Sequence, residues 1–313
     1  MMERARFRWA LRRRSACSIS GSLDRSQHPP QLIPTLHMLE LGHSRLDAPS
    51  LWRVLDEATR VAERHLPDPA AWWETMGHAA QKPAQVASFR GLMAAREQLR
   101  RGNVCEIGFN AGHSAIMWLH GTDAHLVEFD LQTLPYSAAS RAFVEASFRG
   151  RVQFHVGKSR QTVPAYAASV RNGTAPPCDL WLVDGDHGAG AQHDMLNAFD
   201  ASRAGTLLVA DDASLRFPLL RKYWRIHVAI GSLRELSCIQ LHRGGATHNA
   251  KGWCIGRVEP WAVTAEGRAR LRKEFTALLP NARREEVLQR YTKLSKGSLV
   301  QPSLQMLYQG KES

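Results

Sequence analysis

The chain has 313 residues, 44% hydrophobic and 22% charged, which excludes wholesale disorder and fibrous repeats and leaves room for one large domain or two small ones. With 41 Lys and Arg against 29 Asp and Glu, the net charge is +12, a balance that suits an acidic partner such as nucleic acid. No apolar run reaches the roughly 18–20 residues that span a bilayer, so no membrane span is expected.

The charge is unevenly spread. Residues 1–14 hold Arg4, Arg6, Arg8, Arg12, Arg13 and Arg14 against one acid, Glu3, and a second basic stretch runs from Arg268 to Lys296. Concentrated in a tail, the excess weakens the reading of a nucleic-acid face without removing it. Residues 1–35 are Arg- and Ser-rich and end in Pro29-Pro30 and Pro34, the composition of either an organellar presequence or a basic disordered tail. Cys17, Cys105, Cys178, Cys238 and Cys254 are odd in number and form no CxxC pair. That pattern argues against a disulfide scaffold and a Cys-rich zinc site, and it suits a reducing, intracellular compartment. The compartment expected is the cytoplasm, or a mitochondrion or plastid if residues 1–35 act as a presequence.

Apolar residues three and four apart predict helices over 48–66 and 84–100. Between them Trp72 and Trp73 are read as packing anchors, with a wall of an aromatic pocket (shared with His78 and Trp224) as the alternative. After residue 102 short apolar runs alternate with helical stretches. Strands are predicted at Asn103–Ile107, Ala124–Phe129, Val152–Val156, Asp179–Val183 and Thr206–Ala210. Helices are predicted at Ser114–Leu119, Ser140–Phe148 and Ala191–Ala201, then Glu266–Leu278 and Arg283–Leu294. This alternation argues an α/β domain with a mostly parallel sheet, whose ligands sit at the carboxyl ends of the strands.

Four constellations stand at those ends. Glu106 lies inside the first strand, and Gly108 and Gly112 make the tight turn into a helix; their spacing is not that of the dinucleotide fingerprint. Asp130 closes the second run about 20 residues on, where an acid accepts both hydroxyls of a ribose; Glu128 is the alternative. Asp184, Asp186 and His187 follow the fourth run, and Asp211 and Asp212 the fifth. Four acids on adjacent strand ends repel unless a cation sits among them, and Mg²⁺ is the expected one. A zinc site on His187 and His193 is set aside, since no Cys joins them.

In this order, the glycine loop 106–114, Asp130, the Asp184-Gly185-Asp186-His187 turn and Asp211-Asp212 resemble class I S-adenosylmethionine-dependent methyltransferases. More narrowly they resemble the small-molecule O-methyltransferases of methyltransferase family 24, over roughly residues 75–258. The resemblance implies a Rossmann-like, doubly wound, mostly parallel seven-stranded sheet with helical N- and C-terminal additions. The organisation expected is a basic, disordered or targeting tail over 1–45, a methyltransferase domain over 46–260 and a C-terminal helical extension over 261–313. Glu106, Gly108 and Gly112 would surround the methionine end of S-adenosylmethionine, Asp130 would hold its ribose, and Gly157-Lys158-Ser159 would border its adenine; Asn110 and Asp184 would also bind the cofactor. Lys158 departs from the pattern, since many relatives carry an acid there. Asp184, Asp211 and Asp212 would hold Mg²⁺ or another divalent cation, with Asp186 a ligand or a support. His187, with Asp184, would be catalytic, His187 as general base.

The function expected is metal-assisted O-methylation of a small-molecule hydroxyl. The alternatives are a metal-free methyltransferase of RNA or another macromolecule, and a catalytically silent binding subunit of the same fold. A homo-oligomer is left open.

Overall fold

Period-2 and near-continuous apolar runs become buried strands here, and the amphipathic stretches between them become the helices that cover both faces. The computed structural model describes residues 49–188, 190–214, 217–241 and 251–281. The tail over 1–45 and the helix expected over 283–294 lie outside them.

Helix α1 (Pro49–Glu63) buries Leu51, Leu55, Ala58 and Ala62, one stripe at helical spacing. Helix α2 (Pro69–Thr75) opens with proline and is capped by Asp68, whose carboxylate accepts the Ala71 N–H at 3.1 Å. A single 3₁₀ turn (Ala79–Gln81) leads into α3 (Pro83–Ala95) and the short α4 (Glu97–Arg100). The helix expected over 84–100 is thus two, parted by Arg96, whose backbone is extended.

The α/β alternation then runs β1 (Asn103–Ile107), α5 (His113–Leu119), β2 (His125–Asp130), α6 (Ser137–Ser147), β3 (Val152–Val156) and α7 (Ser159–Arg171). It continues with β4 (Cys178–Val183), α8 (Ala191–Asp200), β5 (Ser202–Ala210), α9 (Pro218–Ala229), β6 (Leu233–Leu241), β7 (Lys251–Val258) and α10 (Ala265–Asn281). The seven strands lie in the order β3-β2-β1-β4-β5-β7-β6. β1 to β5 pair in parallel, and β7 is antiparallel to both its neighbours. This is the mostly parallel, Rossmann-like seven-stranded sheet expected. Chain order reverses direction between β1 and β4, and the ends of these strands are where a ligand crevice opens.

One face of the sheet packs Ile107, Phe129, Trp181 and Val183 against α8 and α9; the other packs Val104, Leu126, Leu180 and Leu182 against α1, α3 and α5. The buried Leu271 and Phe275 of α10 belong to the first core, and Phe275 touches the rings of Tyr223 and His227. Residues 265–275 therefore complete the same core as the sheet, across the boundary drawn at 260. Among the described residues, no helix is long and apolar enough to cross a membrane.

The cysteine reading is corrected. Cys105 pairs with Cys178, and Cys238 with Cys254, as disulfides. The first joins neighbouring strands β1 and β4, and the second joins partners in the β6–β7 ladder. Parity and motif spacing do not see such pairs, because strand adjacency rather than sequence proximity creates them. The inference of a reducing compartment loses its support with them.

Candidate active site

A cleft of about 710 Å³ opens over the carboxyl ends of β1, β2, β4 and β5. Its floor is the loop after β1. Gly108 (φ +101°) crosses so close to β4 that a Cβ there would lie 2.2 Å from the Asp184 carbonyl oxygen. Gly112 (φ +80°) caps α5, and a Cβ there would meet the Phe109 ring at 2.7 Å. The cleft is lined by Gly108, Asn110, Asp130, Gly157, Lys158, Ser159, Asp184, Asp186, His187, Asp211 and Asp212, so most of the residues expected from sequence share one space.

Two do not. Glu106 is wholly buried beneath the loop, where it accepts the hydroxyl of Ser114 and the indole N–H of Trp118 at 2.9 Å. Burial first, then the charges of Asp184 and Asp130, outweigh those bonds and push its carboxyl up to about 8. Gly112 lies behind the same loop. Both shape the cleft wall instead of facing a ligand. Glu128, the alternative ribose acid, is also wholly buried, and neither of its oxygens has a hydrogen-bond partner.

Asp130 is the acid at the cleft. Its Oδ2 accepts the Phe109 N–H at 2.9 Å, and its Oδ1 accepts the Gln132 N–H at 2.6 Å and the Gln132 side-chain amide at 2.9 Å. The carboxylate is thereby aimed, with lone pairs remaining for two hydroxyls. Asn110 (φ 50°) is clamped from outside. It donates to the Gly77 carbonyl at 3.1 Å and accepts the Tyr136 hydroxyl at 2.5 Å, which itself accepts the Trp72 indole N–H at 3.2 Å. Trp72 is thus an anchor of the loop, and Trp73 is buried with its N–H on Glu63 at 3.2 Å. Trp224 is core, bonded to Glu235 at 2.7 Å. Of the four residues named for an aromatic wall, only His78 lines the cleft, stacked on His113 at 3.9 Å. Ser159 donates to Asp194 at 2.6 Å, tying α7 to α8. Asp186 accepts the Gly188 N–H at 2.6 Å, the contact of a turn residue.

The acid cluster differs most from expectation. Asp184, His187 and Asp212 bring one ligand atom each within 4.8 Å of the others. Lys251 Nζ lies 2.7 and 2.8 Å from the two oxygens of Asp212. His187 Nε2 is 3.2 Å from Asp212 and 3.6 Å from Asp184, in ion-pair range of both but aligned for a hydrogen bond with neither. Burial alone would lower the His187 pKa; the two carboxylates raise it above its ordinary value, so the ring is an imidazolium near neutral pH. Burial would raise Asp212, but His187 and Lys251 hold it down at about 2. Asp211 stands apart from the ligand group. Its Oδ1 accepts the Gln85 amide at 2.8 Å, and burial with the charges of Asp184 and Asp212 pushes it up to about 7. Lys82 lines the cleft beside it, and burial lowers its pKa.

Asp184 and Asp212, two of the three residues expected to hold Mg²⁺, lie with His187 in one group that could hold a metal ion. A magnesium ion takes octahedral oxygen ligands at about 2.0–2.1 Å with lone pairs free to reach it. Here Lys251 covers both oxygens of Asp212 and Gln85 occupies Asp211. The set expected for Mg²⁺ is therefore brought together only in part.

Lys82, Gln85 and Lys251 escaped the sequence reading. Lys251 opens an antiparallel strand that no periodicity announced, and Lys82 precedes the proline that begins α3. A lysine before a helix-starting proline is a weak signal, and nothing in the sequence tied it to Asp211.

A family model described as a methyltransferase domain matches residues 105–213. The chain is similar in structure to the O-methyltransferase TomG from Streptomyces achromogenes, involved in tomaymycin synthesis and solved in complex with SAM. They share 22% identity over 66% of this chain and 89% of that one, at a TM-score of 0.50. It is similar to an O-methyltransferase from Bacillus cereus in complex with SAH, at 17% identity over 72% and 97% and a TM-score of 0.52. It is also similar to cofactor-bound Rv0187 from MTB, at 20% identity over 75% and 100% and a TM-score of 0.51. Among curated proteins none matches the chain.

Proposed function

We propose that this chain, a class I S-adenosylmethionine-dependent methyltransferase by fold and domain, methylates a hydroxyl oxygen of a small molecule. The observation that carries the reading is Asp130, held at the end of β2 by the Phe109 N–H and lining the same cleft as Gly108, Gly157 and Asp184. The cofactor fits this space. The cleft is of the size that encloses nucleoside-sized ligands, roughly 300–1,000 Å³, and an aimed acid lines it.

Asp130 would hold the ribose hydroxyls, the loop Gly108–Asn110 the methionine end, and Gly157–Ser159 the adenine. S-adenosylmethionine supplies, when bound, an electrophilic methyl carbon and a neutral thioether leaving group. The protein's part is then to hold the acceptor oxygen in line and free it of its proton. Positioning supplies much of the rate when reacting atoms are held at about 3–3.5 Å. The acceptor oxygen lies against the cluster of Asp184, His187 and Asp212. Because His187 is already an imidazolium between two carboxylates, it steadies the oxygen as a cation and hydrogen-bond donor, not as the base expected. The proton passes to a carboxylate, and Asp211 has an oxygen without a hydrogen-bond partner among the described residues.

The test is release of S-adenosylhomocysteine from S-adenosylmethionine over a panel of hydroxylated small molecules, with Asp130→Ala as control. Turnover by the native chain and its loss in the variant is expected. Transfer to RNA and to none of the panel would move the acceptor to the macromolecular class.

A further inference from the structure

We propose that Lys251, with Lys82 beside it, fills the place of a divalent cation in this cleft, so that the acceptor oxygen is received by ammonium groups and no metal is needed. The inference builds on the proposed function above for what the acceptor is, but the lysine arrangement stands on its own geometry.

Three observations carry it. The backbone puts Lys251 there: β5 and β7 are antiparallel with Ala210 opposite Cys254, so the chain just past Ala210 faces the start of β7. The Gln240 amide, donating to the Ala213 carbonyl at 2.8 Å, pins the same turn to β6. Asp212 in its left-handed conformation (φ 52°) then meets Lys251 with both oxygens. Second, both partners are largely withdrawn from water, Lys251 at 19% and Asp212 at 7% side-chain exposure. An ion pair so buried leaves a strongly uncompensated carboxylate when one partner is removed. Third, the two lysines share the site with the carboxylates: Lys82 and Lys251 line the same cleft as Asp184, Asp211 and Asp212. Among the described residues, the Lys82 side chain makes no hydrogen bond or ion pair, so its ammonium is available to an acceptor oxygen as that oxygen gives its proton to Asp211. Acceptors with an acidic hydroxyl, bound as the anion, suit such a pair.

The experiment titrates Mn²⁺ alone into the full chain, followed by its electron paramagnetic resonance signal, for the native protein, Lys251→Met and Lys251→Gln. S-adenosylmethionine binding is measured calorimetrically in the same samples, so failure of the methyltransferase reading shows separately. The native protein should leave millimolar Mn²⁺ free and keep its S-adenosylmethionine affinity in chelator. Either folded variant should bind Mn²⁺ roughly tenfold more tightly or better, through the vacated Asp184, His187 and Asp212. The glutamine variant, polar but uncharged and too short to reach both Asp212 oxygens as Lys251 does, guards against a methionine variant that does not fold. Tight Mn²⁺ binding by the native protein overturns the proposal. So does a lack of gain in folded variants, since the lysine would then not be what excludes the metal.

Discussion

Glu106 and Glu128 are partners in the β1–β2 ladder, and both side chains are wholly buried. Two carboxylates side by side without a cation cannot both ionise. Burial raises both, followed for Glu106 by the charges of Asp184 and Asp130 and for Glu128 by those of Glu106 and Asp130, Glu106 to about 8 and Glu128 well above its usual range. Because the folded pKa lies above the unfolded one, the stability they contribute is complete below about pH 4.5. It falls as pH rises toward 8, by up to about 1.4 kcal/mol per unit for each group. Thermal unfolding should show Tm declining through that window, and Glu128→Gln should flatten the decline and raise Tm at its alkaline end.

His227 sets the opposite limit. It is wholly buried, stacked on Phe199 at 4.9 Å, and burial lowers its pKa to about 3. A neutral folded histidine binds fewer protons than its unfolded counterpart between about pH 6.5 and 3, so stability is lost as pH falls through that window. His227→Leu, of similar volume, should move the acid unfolding midpoint to lower pH. An unchanged midpoint would place acid sensitivity elsewhere.

Tyr136 is a latch. Its hydroxyl links Trp72 to Asn110 and so holds the glycine loop from behind. Tyr136→Phe should lower stability by about 1 kcal/mol and weaken S-adenosylmethionine binding several-fold. Calorimetric titration with urea unfolding checks both. Loss of stability with unchanged affinity would make the latch purely structural.

The disulfides should be visible by peptide mapping without reductant. Reduction should destabilise the fold by roughly 2–4 kcal/mol per bond. Cys238→Ala with Cys254→Ala should remove part of that effect, and recovery of free thiols at all four positions would contradict the pairing.

Much of this architecture was legible in the sequence, for a physical reason. β4, the end of β5 and the loop after β1 announce themselves because buried parallel strands are apolar and a turn that brushes β4 requires glycine. The strand ends predicted the cleft. What escaped has mixed chemistry. β6 alternates Arg234 and Glu235 with half-buried residues, and α7 carries an internal proline, Pro164, and a polar face. The cluster's charges were misread because its compensating cations come from far along the chain. Asp211 and Asp212 are visible at a strand end, but Lys82 and Lys251 reach them only through the packing of α3 and the antiparallel return of β7.

The most direct measurement of the central claim is isothermal titration of the full chain with S-adenosylmethionine, native against Asp130→Ala. Micromolar binding by the native protein, lost in the folded variant, is the result the account predicts. No heat from well-folded native protein, or equal affinity in Asp130→Ala, would contradict it.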